Sequence, residues 1–369
     1  MKTTFYRSFG VCLVALVLSS GVLAQNSLAV FNKAQTAATA LATLPEADLL
    51  IYLSPQRILN DAAPKVMQPA ELTKMRATFF DLKRSAGIDP ATLEYLVIAV
   101  RFQRPSGELS FVAPDVMVVM GGDYSADSLL SLAQLYLQDK VQSEKYGSKT
   151  ISLLKIDDIA EEAKNTPLLQ PYAEVGAVSL SGNSLAIGNT RYIKAAVDAA
   201  DGTARISPAV VESLLRDPNA LIAASGSPLA SFAKSIGLLG TETTPRAPRC
   251  DTRFGDFYAA ITMSGTNFNL RGAMNADNPD TAKIMNGLLA VLMKEGIGAL
   301  PEKAAQEVVK QIRVAPKDSE IVLEADVPQQ IVADFIKEQT APKPAAVETK
   351  PKPTAPAHRK RRTARRKTT

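Results

Sequence analysis

The chain has 369 residues, with 42 Lys and Arg against 37 Asp and Glu, one histidine, two cysteines and no tryptophan. The histidine, His358, lies in a basic tail, so Ser/His/Asp and Cys/His catalysis is excluded from the body. Zinc sites need several His or Cys ligands, and no GxxxxGKS/T or GxGxxG phosphate loop occurs.

Residues 1–24 read as a signal peptide. Lys2 and Arg7 give a positive start, Phe9 to Leu18 an apolar run, and Val22-Leu23-Ala24 a cleavage site before Gln25. The run is shorter than the ~20 residues a spanning helix needs. Cys12 lies within it as apolar filler. The alternative is an uncleaved membrane anchor. No other segment is long and apolar enough to span, so the mature chain is expected to be exported, periplasmic or extracellular, with no transmembrane span.

Ala-rich Leu28 to Leu44 predicts a helix leading into Pro45. Leu49 to Leu53 reads as a strand, and Ser54-Pro55 as the start of a helix. A helix over Ala70–Ser85 follows, ending at Gly87. Tyr95–Phe102 and Val116–Met120 are apolar enough for central strands buried on both sides. A helix over Ala126–Val141 comes next, then strands at Thr150–Ile156, Ala177–Ser181 and Leu185–Gly188. The helix Arg191–Ala200 closes with Gly202 as a left-handed cap.

Much of this order then recurs. Ala220–Ala224 before Ser227-Pro228 echoes Leu49–Leu53 before Ser54-Pro55. Phe257–Met263 and Asn267–Met274 predict a hairpin around Gly265. Asn278-Pro279-Asp280 is a strong helix start, with Ile284, Leu288 and Leu292, joined by Met285 and Leu289, as its buried stripe. A helix over Glu302–Lys310, strands Gln311–Val314 and Ile321–Val327, and a final helix from Pro328 complete the body. The fold class expected is α+β with two structurally similar halves, each an antiparallel or mixed sheet packed with helices. The halves are 48–217 and 218–340, preceded by an N-terminal helix or linker over 25–47 and followed by a disordered tail over 341–369.

The tail carries ten Lys and Arg against one acid, Glu348, for a charge of +9. With residues 1–24 at +2, the chain's +5 leaves −6 for the body, so the basic balance belongs to the tail. Ala341–Pro356 is a Pro-, Ala- and Lys-rich spacer. The cationic cluster is Arg359, Lys360, Arg361, Arg362, Arg365, Arg366 and Lys367. It is read as a polyanion-binding tether, to an anionic cell-wall polymer or lipid headgroups, against the plainer reading of a solubilising tail. No specific nucleic acid is expected.

Other chemistry is thin. Gly121-Gly122-Asp123 sits between strand and helix, where amides can meet an anion, but a turn with Asp123 or Ser125 capping the helix accounts for it. Ser152–Lys155 and Ser231–Lys234 match SxxK and Ser181–Asn183 matches SxN, without the order or the Lys-Thr-Gly that Ser-Lys catalysis needs. Asp157, Asp158, Glu161 and Glu162 read as a solvated helix start in preference to a calcium site. Cys250, near Arg246, Arg249 and Arg253, reads as an inert loop thiol, with reactivity or a bridge between chains as alternatives. No catalytic, cofactor-binding or metal residues are assigned, and no cofactor is expected.

The opening Leu44-Pro45-Glu46-Ala47-Asp48 and the stretch Leu185 to Ala199 resemble secreted bacterial proteins built of tandem α+β units. The resemblance spans most of the body and implies no activity and no site residues. The reading is a non-enzymatic exported envelope protein, a structural or interaction module tethered to an anionic partner by its tail and open to a protein partner. The alternative is a carrier of an apolar ligand, held by the helices Leu129–Leu137 and Ile284–Met293. A carboxylate or Ser-Lys enzyme is the third reading.

Overall fold

Leu49, Ile51 and Leu53 share one side of a strand and Leu50 and Tyr52 the other, so this segment is apolar on both sides. Such a strand belongs in the middle of a sheet covered on both faces, and that is where it lies. The computed structural model describes residues 37–86, 89–103, 113–137, 140–163, 167–227, 256–299 and 303–340. Twelve strands of these residues form one sheet: β1 (Leu49–Leu53), β2 (Leu93–Arg101), β3 (Asp115–Gly122), β4 (Val141–Tyr146), β5 (Lys149–Lys155), β6 (Glu174–Ser181), β7 (Ser184–Asn189), β8 (Ile222–Gly226), β9 (Phe257–Ser264), β10 (Asn267–Asn275), β11 (Arg313–Lys317) and β12 (Glu320–Pro328). Their order is β11-β12-β10-β9-β8-β1-β2-β3-β7-β6-β5-β4, and every neighbouring pair is antiparallel. The class is α+β. The sheet is single and runs without a break across the expected boundary near Asp217-Pro218, because β1 pairs with β8.

The helices are α1 (Pro69–Ala86), α2 (Ala126–Leu137), α3 (Asp157–Ala163), α4 (Thr190–Ala200), α5 (Pro208–Leu214), α6 (Pro279–Ala299), α7 (Lys303–Lys310) and α8 (Gln329–Thr340). Between β1 and α1 the chain is also helical, through Pro55–Arg57, a π-helical turn Ile58–Ala62, and Ala63–Val66.

Two cores lie on opposite faces of the central strands. On one, Leu50, Tyr95, Val97, Ala99, Met117 and Val119 meet Tyr192, Ile193, Ala196 and Val197 of α4 and Val211 and Leu214 of α5. On the other, Leu53 and Leu96 meet Ile58 and Ala62 of the helical turn. A further cluster joins Met274 and Ile321 to Ala282 and Met285 of α6.

Most predicted elements are present, with corrections. The helix expected over Ala126–Val141 is described only to Leu137, and Val141 opens an edge strand, β4, that was not predicted. Its consecutive polar residues Gln142, Ser143, Glu144 and Lys145 gave no apolar signal, as suits the outermost strand of a sheet. The stripe expected on α6 is rotated. Ile284 is 69% exposed, and the buried side is Ala282 and Met285, with Leu289 packed against them. Helix α5, after Ser207-Pro208, was also missed. Gly202 (φ 106°) closes α4 and Gly265 (φ 60°) turns the β9–β10 hairpin, both in the backbone region that favours glycine. The amide of Gly202 donates to Ala199 and that of Thr203 to Asp198, which satisfies carbonyls at the helix end. The Asn278 side chain caps α6 by accepting from the Thr281 amide at 2.8 Å.

Candidate functional site

Helix α4 is sharply two-sided. Tyr192, Ile193, Ala196 and Val197 are buried against the sheet, so Arg191, Lys194 and Asp198 are turned the other way. These three residues, with Thr190, Arg101 at the end of β2 and Tyr146 at the end of β4, line an open cleft of about 460 Å³ along the helix.

Its anchor is Asp115, the first residue of β3, which is fully buried. One carboxylate oxygen accepts from Arg101 Nε at 3.2 Å and Nη2 at 2.8 Å, and also from the Gln103 side chain. The other accepts from Arg191 Nε at 3.2 Å and Nη2 at 2.7 Å. A buried carboxylate is costly unless paired and hydrogen-bonded. Here two guanidinium forks converge on it from residues 14 and 76 positions away. Arg101 also lies 4.5 Å over the Tyr192 ring, a cation–π contact. The Tyr192 hydroxyl donates to the Glu46 carbonyl at 2.9 Å, and burial holds its pKa above the ordinary tyrosine value, opposed by the charge of Arg101.

Further along α4 the cleft holds Lys194 and Asp198, while Thr190 stands beside Arg191 at the arginine end. Lys194 pairs with Glu144 at 2.7 Å and lies 5.4 Å over the Tyr146 ring. The Tyr146 hydroxyl donates to Asp198 at 3.1 Å. Thr190 donates to Glu174 at 2.9 Å. No motif marked these residues in the sequence. The one available signal was an acid, Asp115, opening an apolar strand.

A second feature lies on the helices. Among the described residues, the large apolar side chains left exposed are Phe80 on α1, Leu135, Tyr136 and Leu137 on α2, and Ile284 and Val291 on α6. Part of the apolar character of α2 and α6, which a carrier would use as lining or core, thus faces outward. The Gln134 side chain of α2 donates to Ser152, whose neighbour Ile151 points into the α4 core. Helix α2 therefore lies on the opposite face of the sheet from α4.

Among the described residues, the Gly121-Gly122-Asp123 turn meets Ser181-Gly182-Asn183, the Gly122 amide donating to the Asn183 carbonyl at 3.3 Å. The cluster Arg359 to Lys367, Cys250, the signal region and Ser231-Lys234 lie outside the described residues. Ser152 is buried on β5 and accepts from Gln134 at 3.0 Å, whereas Lys155 is exposed. The Ser181 hydroxyl only donates to Asn183 within a turn. Gly121 and Gly122 are set by packing: a Cβ at Gly121 would lie 2.2 Å from Tyr95 Cζ, and one at Gly122 2.3 Å from the Thr92 carbonyl. Ser125 caps α2 through the Ser128 amide, and the Asp123 amide donates to Thr92. Asp157 makes an exposed ion pair with Lys140 at 3.5 Å. Among the described residues no three His, Cys, Asp or Glu gather to hold a metal ion, and no helix is long and apolar enough to cross a membrane.

No protein-family model matches the chain, and no curated protein matches it in sequence. Among solved structures, the chain is similar to TP0453. Crystal form III has a TM-score of 0.41 at 10% identity, over 81% of this chain and 97% of that one. Form IV gives 0.39 at 10% identity, over 80% and 95%. Form I gives 0.39 at 10% identity, over 82% and 98%. A likeness this distant assigns no activity.

Proposed function

We propose that the protein is a non-enzymatic module of the cell envelope, exported by residues 1–24 and held to an anionic cell-wall polymer or to lipid headgroups by Arg359 to Lys367. Its folded body then meets a protein partner. The observation that carries the reading is the outward placement of Phe80, Leu135, Tyr136, Ile284 and Val291 on helices, where they add nothing to the core. A carrier of an apolar ligand is less well supported, because the cleft along α4 is open and lined with charged groups. The test is a pull-down from envelope extract with the mature protein and with Tyr136→Ser/Ile284→Ser. A partner retained equally by both removes the role given to the helices.

We also propose that the two halves descend from one duplicated unit. The support lies in β1 and β8. Shifting β1 by 173 positions places Ser54 on Ser227 and Ile51 on Ala224, and Ile51 and Ala224 are themselves paired at the centre of the ladder. The Ser54 amide donates to Leu221 at 2.9 Å and the Ser227 amide to Asp48 at 2.8 Å, which the same shift exchanges. From this centre β2-β3 and β9-β10 lead outward in matching order. An experimental structure in which β8 pairs with a strand other than β1 would contradict the proposal.

A further inference from the structure

We infer that the protein self-associates through the edge of β4, which pairs antiparallel with β4 of a second copy so that one sheet runs through both. Among the described residues the sheet ends at β11 on one side and β4 on the other, and an outermost strand carries backbone groups with no partner strand. The two edges are not alike. Each strand belongs to a hairpin closed by two residues, Gly147-Ser148 after β4 and Asp318-Ser319 after β11. The positive φ of Gly147 (55°) and of Asp318 (52°) suits such turns. In hairpins of this kind the pair flanking the turn is hydrogen-bonded, and bonded and non-bonded pairs alternate from there. Tyr146, Glu144 and Gln142 therefore bond inward to β5, while Val141, Ser143 and Lys145 turn their N–H and C=O groups outward. On β11 the same alternation turns Val314 and Pro316 outward. Proline has no N–H, so Pro316 removes a donor from that edge. The β4 edge keeps all of its donors, and Gln142, Ser143 and Lys145 are exposed.

The occupant is a copy of β4 because the strand suits itself in one register. Opposed residues share a face of the sheet, so a two-fold axis normal to it passes through one residue of the strand. Axes at Glu144 and Lys145 set each against its own copy, and like charges directly opposite are destabilising. Axes at Val141, Gln142 and Tyr146 pair only part of the strand. An axis at Ser143 sets Ser143 against itself, Val141 against Lys145, and Gln142 against Glu144 of the second copy. No like charges are opposed there. Glu144 Oε1 takes Lys194, and its other oxygen can accept from the Gln142 side chain of the second copy. Gln134 of α2 donates to Ser143 at 3.3 Å and to Ser152 at 3.0 Å, which holds the Ser143 side chain on the α2 face and leaves its backbone at the edge. An interface one strand long belongs to the small, reversible class.

The inference rests neither on the tail nor on the exposed helical side chains, and it is tested separately. Sedimentation of the mature protein over a range of concentrations is expected to show a reversible monomer–dimer equilibrium. Ser143→Pro removes an outward donor and leaves the bonds to β5 in place. Its dissociation constant should rise about tenfold or more, for one hydrogen bond lost from each side, with the near-UV circular dichroism unchanged. Val141→Lys, which opposes Lys145 of the second copy, should weaken the dimer too, and Tyr136→Ser/Ile284→Ser should leave it as it is. In a Cys250→Ser background, mild oxidation should cross-link Ser143→Cys, whose copies meet at the axis with Cα atoms about 5.5 Å apart, and should not cross-link Lys145→Cys. A wild-type protein that stays monomeric up to about 0.1 mM overturns the inference, as does a dimer that Ser143→Pro leaves equally tight. If Ser143→Pro does not fold, the cross-linking decides, since Ser143→Cys that stays monomeric, or that links no better than Lys145→Cys, excludes this register.

Discussion

Arg191 reaches from the first turn of α4 to within 2.7 Å of Asp115 at the start of β3, and so ties the main helix of one face to the edge of the central strands. The two ends of this contact are not equivalent. Asp115 is fully buried, whereas both arginines keep some exposure. Removing the arginines strands a buried charge. Removing the aspartate releases two cations that water can reach. Arg101→Ala/Arg191→Ala is expected to lose about 3–5 kcal/mol in urea unfolding, more than Asp115→Ala. A larger loss in Asp115→Ala would mean that the carboxylate is not the costly member.

The tyrosines give the fold an alkaline limit. Burial raises the pKa of Tyr52, Tyr95 and Tyr192 above the ordinary value of 10.0. Their neutral form is favoured in the folded state, so the stability they contribute is complete below pH 10. It falls above that, as the unfolded chain ionises first. Absorbance of tyrosinate should rise together with loss of near-UV circular dichroism, above pH 10. Full tyrosine ionisation at pH 10 with the fold intact would contradict this.

Gly121, on β3, and Gly182, in the turn between β6 and β7, differ in their surroundings. A Cβ at Gly121 meets the buried Tyr95 ring, whereas at Gly182 nothing lies within 4 Å. Gly121→Ala should cost about 1–3 kcal/mol or more, as overpacking does, and Gly182→Ala under about 0.5 kcal/mol. Thermal unfolding of the two variants compares them directly.

On α6 the same comparison separates core from surface. Met285 is buried and Ile284 exposed. Met285→Ala should cost about 2–5 kcal/mol, while Ile284→Ser should stay within about 0.5 kcal/mol. Equal losses would return Ile284 to the core.

What could be read in the sequence followed apolar patterning. Leu49–Leu53 was found to the residue, and Asn278 and Gly265 announced their cap and turn, because each acts through its own neighbours. Strand β4 escaped because an edge strand needs little apolar surface. On α6 the apolar residues outnumber those one face can bury, so composition could not say that Met285 turns inward and Ile284 outward. Of the Arg101–Asp115–Arg191 cluster, the sequence marks only Asp115, an acid opening an apolar strand. The members of the cluster are joined only by β2–β3 pairing and by the return of α4 over the sheet.

Deletion of residues 341–369 most directly tests the proposal that this tail tethers the body. Contacts between a cationic tail and a polyanion weaken as salt rises, through counterion release and screening. The truncated protein should unfold at the same temperature as the full chain and lose low-salt retention on anionic lipid vesicles or cell-wall polymer. Retention by the truncated protein equal to that of the full chain, with the same salt dependence, would contradict the account.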